Sequence, residues 1–488
     1  MTVQHSPEPT TVDGKSADGG SSASDVQSAV ARARDASRWW GELDFSDRKG
    51  WLLEYRSAIA RNSASLIDVM REETGKPKDD ALLEVMLAVE HLTWAAKNAN
   101  RVLRERSVFP GVVSINHSAS VRYQPMGVVG VIGPWNYPVY TPMGSIAYSM
   151  AAGNAVVFKP SELTPRTGLW LADTWKSLSA PQPVLQTVTG DGRAGEQLCR
   201  AGVDKLAFTG STATAKKVMA TCAESLTPIV VEGGGKDALI VDSSADIEAA
   251  ATFAAFGAMG NAGQTCAGVE RVYVVDDVAD RFIDALTSRV RGLVVSDGDN
   301  AQYGRMTLGR QVDIVHDQVA DALSRGGRAV VGGMDSIRAP YIDPIVLVDV
   351  PEDSSAVAEE TFGPTVVVNR IRDLDEGIEK ANASKYGLGA SVFTASKEAA
   401  ERAAERLRVG VVTVNSVLGF AAVGALPFGG VGDSGFGRIH GADGLREFSR
   451  VKSVTKQRFP APLGLVTMTR KRRDVAVARW MLTKVYGR

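Results

Sequence analysis

Val128-Val129-Gly130-Val131-Ile132-Gly133-Pro134-Trp135-Asn136-Tyr137-Pro138 is the stretch whose reading decides the fold. Five apolar residues without alternation describe a strand covered on both faces. Gly133 and Pro134 end it. A helix follows from about Pro142 and closes at Gly153-Asn154, a C-terminal signal. Residues 155–159 then read as a second strand and 165–177 as a second helix. The alternation continues with strands at 184–188 and 205–208, a helix at 212–224 and a strand at 228–232. Strands that alternate with helices predict a parallel, doubly wound sheet, with ligands beyond the carboxyl ends of its strands.

On the amino-terminal side, residues 1–24 are rich in Ser, Pro, Gly and Asp and predict a disordered tail. Helical spacing of apolar residues covers 26–40, 48–73 and 81–106. Residues 111–124, with β-branched residues around Ser-Ala-Ser, predict a hairpin whose edge is free to pair with another subunit. After Gly235 the strand–helix alternation repeats. Strands are expected at 237–241, 271–275, 329–332, 365–369 and 411–415, and helices at 246–259, 280–290, 311–322 and 396–406. The fold class expected is α/β: two doubly wound Rossmann-like domains plus a β-hairpin oligomerisation element. The first domain takes 25–110 and 126–233, the second 234–439, the oligomerisation element 111–125 and 440–458, and a basic extension 459–488.

The chain has 488 residues, 44% of them hydrophobic, and a net charge of −1, which gives no global signal for nucleic acid. Its three cysteines are too few for a disulfide framework. The five histidines show no ligand spacing, so no metal is expected. The first residues lack a signal-peptide core, and no apolar run reaches transmembrane length, so a cytoplasmic protein is expected.

Chemistry collects at the predicted strand ends. Gly260-Asn261-Ala262-Gly263-Gln264-Thr265-Cys266-Ala267-Gly268 presents one cysteine among small residues. Such a loop suits covalent attack on a carbonyl carbon, and it equally suits a small buried thiol; the residues alone leave both open. Glu232 closes a strand ahead of three glycines, with room for a water, and burial would make it a usable base. Pairing with Lys236 is the alternative. Asn136 can donate to an oxyanion or cap its loop. Lys159 and Glu162 can hydrogen-bond ribose hydroxyls or form a solvated ion pair. Gly210-Ser211 opens a helix whose N-terminus favours a pyrophosphate, although no GxGxxG is present.

Seven motifs stand in order: Pro134-Trp135-Asn136-Tyr137-Pro138, Lys159-Pro160-Ser161-Glu162, Phe208-Thr209-Gly210-Ser211-Thr212, Glu232-Gly233-Gly234-Gly235-Lys236, Gly263-Gln264-Thr265-Cys266, Glu360-Thr361-Phe362-Gly363-Pro364 and Pro427-Phe428-Gly429-Gly430. Together they resemble the NAD(P)-dependent aldehyde dehydrogenase superfamily over nearly all of residues 25–455. The resemblance implies Cys266 as nucleophile, Glu232 as general base, and Asn136 with the Cys266 N–H as oxyanion hole. It implies cofactor contacts at Trp135, Lys159, Ser161, Glu162, Gly210, Ser211, Glu360 and Phe362. The cofactor implied is NAD, with NADP as second option, because a carboxylate such as Glu162 hydrogen-bonds a 2′-hydroxyl and repels a 2′-phosphate.

Two departures stand out: Gly233 where the family often has Leu, expected to loosen the Glu232 loop, and Ala215 where it usually has Gly. The resemblance is nearest to the branch acting on fatty and aromatic aldehydes. Tyr137, Tyr140 and Phe420 are expected to line an apolar substrate pocket, and the loop Ser416–Ala422 offers no cation for a substrate carboxylate. CoA-acylating and succinate-semialdehyde activities, or a membrane-associated binding protein with a silent site, are the competing readings. A homodimer or homotetramer is expected. The carboxyl-terminal segment carries Arg470, Lys471, Arg472, Arg473, Arg479, Lys484 and Arg488 against one Asp474, with apolar residues at helical spacing. It fits either a peripheral membrane contact or a helix docked on the protein's own surface.

Overall fold

The computed structural model describes residues 20–487. Most of the expected amino-terminal tail lies outside the described residues. Its inner boundary moves: the first helix spans Ala23–Glu42, with Ser22 and Asp25 forming a reciprocal capping box.

Two parallel sheets carry the molecule. The first has six strands, in the order Gly435–Phe436, Ile229–Glu232, Lys205–Thr209, Val128–Ile132, Ala155–Lys159, Leu185–Thr187. Val128–Ile132 pairs in parallel on both sides, with Ala155–Lys159 and with Lys205–Thr209. The chain moves outward on one side and returns to the other, so the order reverses at the carboxyl end of Val128–Ile132. The second sheet has seven strands, in the order Arg328–Val331, Ile345–Val348, Thr365–Ile371, Val269–Val275, Asp237–Val241, Gly389–Phe393, Val411–Val414. Only its Arg328–Val331 edge is antiparallel. Central strands such as Val128–Ile132 and Val269–Val275 are buried along their whole length. Helices therefore cover both faces, which is why the sequence shows unbroken apolar runs there.

Several expectations are corrected. The predicted helix 48–73 is two helices, Phe45–Arg61 and Ser63–Thr74, because Asn62 leaves helical geometry and its Nδ2 satisfies the Ala58 carbonyl at 2.9 Å. The hairpin expected at 111–124 is present with other bounds: its arms are Arg106–Val108 and His117–Pro125, and the second arm also pairs with Ser449–Gln457 in a three-stranded antiparallel sheet. Local alternation could not show that the second arm's main partner lies more than 300 residues away. The strands Ile345–Val348 and Gly389–Phe393 were not anticipated. The latter opens with Gly-Ala-Ser, a weak strand signal, and is held by Asp237, whose Oδ1 accepts the Gly389 N–H at 3.0 Å. Gly435–Phe436, assigned by sequence to the second domain, pairs antiparallel with Val231–Glu232 in the first sheet.

Candidate active site

Glu232 is the last residue of its strand in the first sheet, and Cys266 follows the helix Ile247–Met259 of the second. The two sheets thus deliver one carboxylate and one thiol to a common point. Cys266 Sγ donates to Glu232 Oε1 at 3.3 Å, and Thr209 Oγ1 donates to Glu232 Oε2 at 3.3 Å. Burial pushes the Glu232 carboxyl up to about 7, against smaller opposing effects of these two hydrogen bonds. Burial, then the neighbouring Glu232, raises the Cys266 thiol well above its ordinary value. Lys236 does not pair with Glu232. Its Nζ reaches Glu270 Oε2 at 2.6 Å and Thr361 Oγ1 at 2.8 Å.

The cysteine loop is built by left-handed backbone at Asn261 (φ 54°), Ala262 (φ 57°) and Gly263 (φ 69°). Only Gly263 suits that conformation freely, and a side chain there would strike the Gly363 carbonyl at about 2.0 Å. The turn is closed by polar contacts: Gln264 Nε2 donates to the Asn261 carbonyl at 2.9 Å, and Gln264 Oε1 accepts the Thr307 N–H at 2.9 Å. Asn136 Nδ2 donates to the Gln264 carbonyl at 2.9 Å, which uses one of its two hydrogens and brings the amide beside the cysteine loop.

Beneath Asn136 lies a network that sequence reading missed. Lys76 Nζ donates to the Asn136 carbonyl at 2.9 Å and pairs with Glu84, both side chains being fully buried. Glu84 Oε1 in turn accepts the N–H groups of Val139 and Tyr140 at 2.8 and 3.1 Å. Gly75-Lys76-Pro77 carries no motif, and a lysine is seldom fully buried, so nothing in the residue string marked it. Glu270 was missed in the same way. It accepts the N–H groups of Thr361 and Phe362, each at 2.8 Å, and fixes Phe362 at φ 54°.

Two cavities meet at Cys266. The larger, about 700 Å³, lies at the reversal point of the first sheet and is lined by Trp135, Asn136, Lys159, Ser161, Glu162, Gly210, Ser211, Glu360 and Phe362. All eight expected cofactor residues therefore share one cleft. Lys159 is buried and its burial lowers the ammonium; Glu162, 3.5 Å away, is exposed at the rim, so the pair is only half solvated. Ser211 caps the helix Thr212–Ala223, its Oγ accepting the Thr214 N–H at 3.3 Å, and points that helix N-terminus at the cleft. Glu360 accepts the Gly235 N–H at 3.0 Å; burial, with Glu270 adding, pushes its carboxyl up to about 8. The Phe362 ring packs edge-on to Trp135 at 5.5 Å.

The smaller cavity, about 240 Å³, is lined by Tyr137, Tyr140, Phe420, Val417, Leu418 and Phe428 among others. Among the described residues no Lys or Arg lines it, whereas Asp80, Glu84 and Glu232 do. Its one histidine, His440, is held well below its ordinary value by burial and by His91, and is neutral.

The departures at 233 and 215 are accounted for. Gly233 donates its N–H to the Ser434 carbonyl at 2.9 Å, and a side chain there would meet the Asp433 carbonyl at 2.7 Å. The expected loosening is corrected: the Glu232 loop is strapped by the 433–436 segment. Ala215 is buried in the core of the first sheet and does not line the cleft.

The aldehyde dehydrogenase family model matches residues 6–454. The chain belongs to the aldehyde dehydrogenase family. Among similar proteins, a 4,4'-diapolycopene aldehyde oxidase of a Methylomonas species is 37% identical over 444 residues, covering 90% of this chain and 82% of that one. A putative NADP(+) succinate-semialdehyde dehydrogenase of Mycolicibacterium smegmatis is 35% identical over 455 residues, covering 91% and 87%. A crystal structure of an NAD-dependent aldehyde dehydrogenase from Sinorhizobium meliloti superposes with a TM-score of 0.86 at 31% identity, covering 92% and 90%. The α/β fold of this aldehyde dehydrogenase is that of its relatives, and its cofactor class is NAD(P).

Proposed function

We propose that this aldehyde dehydrogenase oxidises an apolar aldehyde, medium- or long-chain aliphatic or aromatic, to its carboxylic acid, with Cys266 as nucleophile. The observation that carries the reading is the Cys266–Glu232 contact at the junction of a nucleotide-sized cleft and an apolar cavity. When bound, NAD supplies an acceptor for the aldehyde's hydride. Lys159 and Glu162 at the rim, the helix N-terminus behind Gly210-Ser211, and Glu360 with Phe362 near Cys266 suit adenosine ribose, pyrophosphate and nicotinamide riboside respectively.

The chain's own groups account for the rest. Glu232 takes the Cys266 proton, since burial and the adjacent carboxylate both oppose a free thiolate. The sulfur adds to the carbonyl carbon, and the oxyanion of the thiohemiacetal falls to the second Asn136 Nδ2 hydrogen and the Cys266 N–H, a contribution of about 3 kcal/mol per donor. Loss of the hydride leaves a thioester. Glu232 releases the first proton to solvent and takes one from the attacking water; the tetrahedral adduct collapses with cleavage of the C–S bond, the Cys266 sulfur recovers a proton from Glu232, and the acid departs. A retained Glu232 favours water over CoA as the group that resolves the thioester.

The cavity, lined by no cation among the described residues, favours an apolar substrate over succinate semialdehyde, whose carboxylate would find no partner there. The relative named for an aldehyde of diapolycopene is consistent with this. NAD preference rests on Glu162. The reading is of a cytoplasmic homo-oligomer, assembled through the three-stranded sheet, with a peripheral membrane contact. Formation of NADH and NADPH across acetaldehyde, decanal, benzaldehyde and succinate semialdehyde tests it. Best turnover on the apolar members with NAD supports it; preference for succinate semialdehyde removes the substrate assignment.

A further inference from the structure

The segment beyond Gln457 ends in a helix, Arg472–Val485, that the rest of the protein scarcely touches. None of its residues is buried, and only Asp474, Ala478 and Met481 are even half-buried. Asp474 Oδ2 tethers its first turn by accepting the Gly464 N–H at 3.1 Å. The docked-helix alternative is therefore met only by this light contact.

Val475, Ala478, Leu482 and Val485 recur at three- and four-residue spacing and share one face. Leu482 is 64% exposed and Val485 56%. Val477 and Met481 widen that face, which Asp474 interrupts; Arg472 and Arg479 border it on one side, and Lys484 and Arg473 on the other. Trp480, 60% exposed, lies on the Arg473–Lys484 side. Ahead of the helix stand Arg470 and Lys471, and the fully exposed Val466 and Met468. An apolar stripe edged by cations is the pattern of a helix lying in the plane of a lipid surface.

We propose that Arg472–Val485 docks this enzyme on an anionic bilayer, with Val475, Leu482 and Val485 entering the acyl boundary and the flanking arginines and lysine meeting lipid phosphates. Charge decides the occupant. The whole chain sums to −1, yet residues 459–488 hold seven Lys and Arg against one Asp. The cations are segregated at this end. A second copy, with both signs mixed over its surface, offers no field to match them, whereas an anionic leaflet does. This deepens the membrane-peripheral placement in the reading above; the helix lines neither cavity, so the docking stands apart from which aldehyde is oxidised.

Co-sedimentation of the full chain with vesicles tests it. Binding is expected to phosphatidylcholine vesicles containing about one-third phosphatidylglycerol, and to weaken in about 0.5 M salt. Pure phosphatidylcholine should retain little. Arg472→Glu with Arg473→Glu and Arg479→Glu should lower the partition coefficient about tenfold or more, and Leu482→Asp with Val485→Asp should do likewise. NADH formation on a short aldehyde, read in the same samples, should be unchanged in both variants. Absence of sedimentation with anionic vesicles, or equal binding to neutral ones, overturns the proposal. So does a fall in oligomer size for Leu482→Asp/Val485→Asp by analytical ultracentrifugation, which would assign the face to a second copy. Failure of the aldehyde reading would appear separately, as vesicle binding without NADH.

Discussion

Cys266 Sγ and Glu232 Oε1 stand 3.3 Å apart, and the lysine nearest in sequence, Lys236, is turned away to Glu270. A cation beside Glu232 would hold it ionised and weaken it as a base. Without one, burial raises the carboxyl into the neutral range while also raising the thiol. The thiol proton therefore lies between the two groups, with Glu232 placed to take it.

Replacement of Cys266 by Ala should lower kcat by about 10⁴-fold or more. NAD affinity should change little, because the cleft residues Lys159, Glu162 and Glu360 are untouched. Calorimetric titration with NAD alongside an NADH assay separates the two effects. Retained turnover would remove Cys266 from the chemistry.

The Glu232 carboxyl should set the pH profile. It must be ionised to take a proton, so kcat should rise with pH through about 7 and fall about tenfold per pH step below it. Glu232→Gln should slow steady-state turnover about 10²- to 10⁴-fold and slow the first burst of NADH, still one per active site, by less, because the thiol loses its nearest proton acceptor. Equal loss of burst and steady state would deny it the hydrolytic step. Stability carries the same sign. The folded carboxyl titrates above its unfolded value, so its contribution is present below the unfolded pKa and lost as pH rises through about 7. Glu232→Gln should accordingly stabilise the fold by about 3 kcal/mol near pH 9 and by less than about 1 kcal/mol near pH 5, read by thermal unfolding.

Much of this site was legible because its parts lie at strand ends, where glycine and proline punctuate apolar runs. Val128–Ile132 and Asp237–Val241 matched their expected bounds for that reason. The grouping of Trp135, Lys159, Glu162, Gly210, Glu360 and Phe362 in one cleft followed from motif order. What stayed hidden depends on partners distant in sequence. Lys76 meets Asn136 across 60 residues, Glu270 holds Phe362 across 92, and Ser449–Gln457 completes a sheet begun by His117–Pro125. No local pattern encodes such pairings. Gly233 misled because a missing side chain reads as freedom until the 433–436 segment that fills the space is seen.

The Lys76–Glu84 pair should matter to both folding and turnover. Lys76→Met leaves Glu84 buried without its cation, a loss of about 3–5 kcal/mol. Lys76→Met with Glu84→Gln should recover part of it, since both charges are then gone. In the double variant the Asn136 carbonyl still lacks its Lys76 donor, so kcat should stay depressed while the melting temperature recovers. Full recovery of both would make the network structural only.

Glu162 should govern cofactor choice. Its carboxylate is exposed at the rim, 3.5 Å from Lys159, where a 2′-phosphate would meet it. Glu162→Gln removes the repulsion and leaves Lys159 to pair with the phosphate. The ratio of kcat/KM for NADP over NAD should rise about tenfold or more. An unchanged ratio would move the discrimination elsewhere in the cleft.

Chain length should report on the small cavity. Its walls are Tyr137, Tyr140, Val417, Leu418, Phe420 and Phe428, and it holds about 240 Å³. Each methylene buried there contributes about 0.8 kcal/mol, so kcat/KM should climb about fourfold per carbon along a straight-chain aldehyde series. The climb should stop where the cavity ends, because further carbons reach water and gain nothing from burial. Phe420 stacks on Phe428 at 4.9 Å with its ring nearly parallel, and both belong to the wall. Phe420→Ala opens space on that side and should lower kcat/KM for aldehydes that fill the cavity, leaving acetaldehyde nearly unaffected. A flat series from acetaldehyde to decanal, or an equal effect of Phe420→Ala on every member, would mean that the apolar walls do not hold the substrate's tail.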